Sequence, residues 1–176
     1  MNTVQIERAL KSHPVIQKVF KGVYACNQIP TDMKGDGFMV INLDPSYKEG
    51  SHWVAICLNS KLGNIYFDSY GWKPTKRKIL QLLEGREVKW GTVQLQSDFT
   101  STCGQWCCFF IWHMCHNVTF EDMLDMFGNN QLQNDEIVNA FFHKHFHPLK
   151  TQPLIDDQFV CQQICRSFAW NQSCHC

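Results

Sequence analysis

Cys103 is followed by Gly104 and opens the run CGQWCCFFIWHMCH, apolar on nearly every face for about three helical turns. The stretch before it, residues 97–102, is small and polar and suits a turn. That pattern predicts a buried central helix with Cys103 in its first turn. There the unpaired N–H groups and the positive end of the helix dipole favour an anion, so the thiol is pushed toward its nucleophilic thiolate form. Cys107, Cys108 and Cys115 lie deeper in the same helix and read as small buried hydrophobes.

A thiolate nucleophile needs an imidazole to exchange its proton, a group to orient that imidazole, and donors for the oxyanion. His52, next to Trp53, is the candidate base and acid, and Asp68 the candidate for holding its ring. Gln96, on the loop entering the helix, offers a side-chain N–H that joins the backbone N–H of Cys103 as an oxyanion donor. Singly, each has an ordinary reading: a half-exposed histidine at a strand start, a turn aspartate before Ser69–Tyr70–Gly71, a solvated loop amide. The ordered set is what points to a cysteine protease.

Elements that would position this set are legible. FMVINL, residues 38–43, and HWVAICL, residues 52–58, read as buried strands, and IYFD, residues 65–68, as the return strand of an antiparallel hairpin. A reversal centred near residues 60–62 places the position facing His52 between 68 and 71. His52 and Asp68 therefore fall at the same end of the hairpin. Helices are predicted over residues 3–12, over a short turn from 14 to 20, over 75–84 before the stop at Gly85, and over 135–145. Thr119 with Asp122 makes a capping box for FEDMLDMF. Residues 22–37 read as loop and 87–95 as a strand. The fold class is α+β, a central helix on a mixed sheet.

At 176 residues the chain is expected to form a single domain. Its formal net charge is zero, so no overall field draws it to nucleic acid or acidic lipid. No apolar run approaches the length of a bilayer crossing, and MNTVQIERALKSHP is polar and mixed in charge, unlike a signal peptide. The ten cysteines then read as reduced thiols in a soluble intracellular protein.

The order His52–Trp53, Asp68 after a strand, Gln96, then Cys103–Gly104 with Cys107–Cys108–Phe109 resembles the adenain family. These are the adenovirus maturation proteases, with relatives in adomaviruses and Polinton-type elements. The resemblance runs from FKGVY through GSHWVAI, IYFDSYG and CGQWCCFF to FFHKHF, about residues 20–147, leaving residues 148–176 as a tail of unknown role. It implies a compact α+β protease with His52, Asp68 and Cys103 as the triad and Gln96 as oxyanion donor. It also implies an endopeptidase that cleaves capsid or core precursors beside glycine, in the host nucleus and the virion. Adenain carries glutamate at the Asp68 position, whereas the related SUMO and ubiquitin-like proteases carry aspartate, so processing of ubiquitin-like proteins is the alternative. Papain-like enzymes put the cysteine first.

The family's activators are a disulfide-tethered peptide and DNA. No cysteine lies between Cys57 and Cys103 to take that tether and the chain is neutral, so neither is expected to carry over unchanged. The chemistry itself needs no cofactor. In the tail, Cys161, Cys165, Cys174, His175 and Cys176 have the donor types of a zinc site but not the spacing of a finger; they read as surface thiols or a partner tether. A non-catalytic adaptor using that tail to bind metal or a partner is the reading from another class. His143, His145 and His147 read as helix-end and surface residues.

Overall fold

A computed structural model describes residues 1–30, 33, 35–59 and 61–146. His147 and the cysteine-rich tail lie outside these. Five strands form one sheet in sequence order: β1 (Phe20–Ala25), β2 (Gly37–Asn42), β3 (Trp53–Leu58), β4 (Asn64–Phe67) and β5 (Val88–Trp90). The β1–β2 and β4–β5 pairs are parallel and the two between them antiparallel, so the sheet is mixed. Every residue of β2 and β3 is buried, which an unbroken run of apolar side chains achieves only where both faces of a sheet are covered.

Register assigns those side chains to the two faces. Val40 pairs with Ala55 and Ala55 with Phe67, all toward one core; Met39 pairs with Ile56 and Ile56 with Tyr66, all toward the other. The first core is closed by α3 (Cys103–Cys115), with α1 (Thr3–Ser12), α4 (Phe120–Leu124) and α5 (Gln131–Phe146) around it. There Phe110 of α3 stacks on Phe67 at 4.9 Å, and Phe120 meets both rings edge-on. The second core is closed by Ile79 and Leu83 of α2 (Arg77–Leu83), together with Ile29. The fold is α+β, with the cysteine helix pressed on a mixed sheet.

Three elements depart from the sequence reading. Phe20–Ala25 is a strand rather than a helical end and loop, because Gly22 at φ 133° bulges it in register with β2 instead of ending it. Residues 14–20 supply only a 3-10 turn, Ile16–Lys18, before that strand. The strand expected over 87–95 stops at Trp90, beyond which residues 91–96 turn toward the site. In addition, α5 starts earlier than Asp135, with the Asn130 side chain accepting from Gln133 N–H at 3.2 Å as its cap. Thr119 caps α4 by accepting from Asp122 N–H at 3.1 Å, while its hydroxyl donates to the Asp122 carboxylate.

Candidate active site

The hairpin does what its period-two geometry demands. Pairs Ala55↔Phe67, Ile56↔Tyr66 and Cys57↔Ile65 centre the reversal on Lys61, so the position opposite His52 extrapolates to Tyr70. His52 precedes β3 and its carbonyl accepts from Leu43 N–H at 2.9 Å, which prolongs the β2–β3 ladder by one bond. Asp68 follows β4 directly. Their side chains meet: His52 Nε2–H donates to Asp68 Oδ1 at 2.8 Å, and the same oxygen accepts from Tyr70 N–H at 2.8 Å. Asp68 Oδ2 is buried. With Nε2 committed to the carboxylate, Nδ1 is the ring nitrogen left for the sulfur.

Cys103 is the first residue of α3, where the sequence placed it. Its thiol lies near enough to the His52 ring and to the backbone N–H of Trp53 for both to stabilise the thiolate. Burial disfavours the thiolate, but those two donors and the imidazolium charge outweigh it and hold the thiol below its ordinary value. Burial also works against a charged His52, yet its bonds to Asp68 and Cys103 and their negative charge lift it to about 9. The two shifts run in the directions that favour a thiolate–imidazolium pair over the neutral one. Cys107 and Cys108, fully buried on the same helix, are driven the other way, toward the inert thiol.

Gln96 is the deepest of the four, 1% exposed, against 7% for His52 and 8% for Cys103. Its backbone N–H, with that of Leu95, donates to the carbonyl of Ser69, next to Asp68. Its amide is oriented at both ends: Oε1 accepts from the Ser69 hydroxyl at 2.7 Å, and Nε2 donates to Thr100 carbonyl oxygen at 3.2 Å. One amide N–H remains, so Gln96 is not the solvated loop amide it would ordinarily be but a buried side chain with a donor to spare. The structure brings His52, Asp68 and Cys103 into contact and ties Gln96 to the residue beside Asp68.

Residues that sequence reading passed over complete the surroundings. Tyr70, seen only as part of a turn, lies against the His52 ring at 4.9 Å, and Trp72 stacks on Tyr70 at 5.1 Å. Ser69 and Asp135 hold the loop that carries Gln96. Their signal was absent from local pattern, since each acts on residues far along the chain. His143 and Lys144 are exposed in the last turn of α5, as expected, but His145 is partly buried between Phe141 at 4.2 Å and Trp112 at 5.0 Å. Among the described residues no group of His, Cys, Asp or Glu is placed to hold a metal ion, and no helix is long and apolar enough to cross a membrane.

No protein-family model matches the chain, and no curated protein matches it. Among solved structures it is similar to the crystal structure of selenomethionine ASFV pS273R protease, at 23% identity and a TM-score of 0.45. The match covers 65% of this chain and 44% of that one, so the chain spans less than half the length of that protease.

Proposed function

We propose that this chain is a thiol endopeptidase, with Cys103 as nucleophile, His52 as proton carrier and Asp68 holding the imidazole. Gln96 and the Cys103 N–H are the oxyanion donors. The observation that carries the reading is the continuous line from Asp68 Oδ1 through His52, at 2.8 Å, to a thiol at the mouth of α3. The thiolate adds to the scissile carbonyl carbon and the carbonyl oxygen takes the charge, facing the two donors. As the tetrahedral centre collapses, His52 gives its proton to the leaving amine and a thioester remains. Water then gives a proton to His52 and attacks the thioester, releasing the acid and the thiolate.

Substrates are proposed to be structural precursor proteins of a virus or mobile element, cut beside glycine. Support for glycine comes from depth, since a cysteine only 8% exposed is reached by a backbone with no bulky side chain near the cut. Support for precursors is the order of motifs shared with the adenain family. The chain itself supplies each group the reaction uses, so no cofactor is invoked, and rates with and without DNA are expected to agree.

The test is cleavage of candidate precursors, and of ubiquitin-like proteins bearing a C-terminal fluorogenic group, by the wild type and by Cys103→Ala. Cutting of precursors by the wild type alone is the expected result. Cutting of the ubiquitin-like substrates alone transfers the reading to that substrate class. Equal inactivity of both proteins on every substrate overturns it.

A further inference from the structure

Asp135, on the second turn of α5, is a buried carboxylate, 3% exposed, whose oxygens accept four hydrogen bonds. Oδ2 accepts from Ser97 N–H at 3.0 Å and from the Thr100 hydroxyl at 2.7 Å. Oδ1 accepts from the Thr102 hydroxyl and from Trp106 Nε1–H, each at 2.7 Å. All four donors lie on the segment that starts after Gln96 and ends one turn into α3. Asn134 adds a fifth tie, its Nδ2 donating to Leu95 carbonyl oxygen at 3.2 Å. Taking a carboxylate out of water is costly, and a tie that only had to bury the loop would be served as well by apolar packing. A carboxylate with its lone pairs satisfied fixes directions, because each donor has one place to go.

Those directions lead to the oxyanion donors. The Thr100 hydroxyl is bound to Asp135, and the Thr100 carbonyl accepts from Gln96 Nε2, so the carboxylate sets the orientation of the Gln96 amide through one residue. Through Thr102 and Trp106 it also fixes the residues on either side of Cys103, whose N–H is the second donor. We propose that Asp135 is a positioning residue that holds residues 97–102 so that the Gln96 amide and the Cys103 N–H face one point. This rests on the thiol-endopeptidase reading above.

Asp135→Asn is the probing change. Ser97 N–H and Trp106 Nε1–H sit on opposite oxygens and can only donate, so whichever way the amide turns, one of them faces an NH2 group. Turnover, kcat, is expected to fall roughly 10²-fold, the size seen when one oxyanion donor is lost, with KM little changed. The rate and pH dependence of Cys103 alkylation by iodoacetamide should change far less than kcat, because the groups that act on the sulfur, His52 and the Trp53 N–H, belong to the hairpin, and Phe109 and Phe110 keep α3 packed in its core. Hydrogen exchange should accelerate in peptides covering residues 96–102. Thr100→Val keeps the carboxylate and removes one donor, and a loss of about ten-fold in kcat is expected from it. Wild-type kcat in both folded variants overturns the proposal, as does alkylation that falls in step with kcat. Should Asp135→Asn not fold, Thr100→Val decides by the same measurements. Should the wild type cleave nothing, the endopeptidase reading falls, and exchange alone decides: acceleration confined to residues 96–102 supports the positioning role, and uniform or unchanged exchange overturns it.

Discussion

Charge on the sulfur and on the ring sets when the site can act. Burial opposes both charges, so each group depends on the other: the imidazolium stabilises the thiolate, and the thiolate with Asp68 stabilises the imidazolium. Cys103 alkylation is therefore expected to stay fast below the ordinary thiol range and to fall as acid protonates the sulfur. Turnover is expected to fall again above about pH 9, where the ring loses the proton it must deliver to the leaving amine. Replacing His52 with Ala leaves burial unopposed by the ring, so the alkylation onset should move to higher pH; the same onset in both proteins would sink the pair. Asp68→Asn keeps the shape but not the charge, and should lower kcat/KM by about 10²–10⁴-fold. The Tyr70 ring covers the imidazole, so its removal exposes the pair to water rather than breaking a bond.

Strands and loops bring these residues together, and one glycine shows how tightly. Gly71 sits at φ 72°, and a Cβ there would lie 2.7 Å from the Val93 carbonyl oxygen and 2.9 Å from the Val93 nitrogen, on the segment that leads to Gln96. Gly71→Ala combines a left-handed backbone with a clash against main chain, neither of which relaxes without moving that loop. A stability loss of about 1–3 kcal/mol is expected, with a fall in kcat that a wild-type melting curve would contradict. The meeting of His52 with Asp68 was legible in the sequence because an antiparallel register depends only on where the hairpin turns. Cys103 at a helix mouth was legible because a polar turn gives way abruptly to an apolar run. β1 was not, since the glycine that reads as a breaker is accommodated by a bulge that only the pairing with β2 reveals. Nor was Asp135, whose partners Ser97, Thr100, Thr102 and Trp106 precede it by some thirty residues and become its neighbours only once α5 packs beside α3.

The sheet separates the molecule into a half that carries the proposed chemistry and a half that supports it. Cys103 is at the start of the helix that fills one core, and Gln96 is tied to that side through the Asn134 and Asp135 contacts of α5. The opposite core, closed by α2, reaches the site through the backbone of the sheet: Tyr66 of β4 precedes Asp68 by two residues, and Val54 of β3 follows His52 by two. Large-to-small changes in the two cores should therefore cost similar stability and different activity. Phe110→Ala removes a ring stacked on Phe67 beneath the cysteine helix and is expected to cost about 3–5 kcal/mol. Ile79→Ala opens the core under α2 and is expected to cost about 2–5 kcal/mol. Assayed well below both melting temperatures, the Ile79 variant should keep wild-type kcat/KM, while the Phe110 variant loses activity because α3 shifts on the sheet and carries the sulfur with it. Equal activity losses in the two would mean that the sheet transmits strain between its faces, and the division of labour drawn here would be wrong.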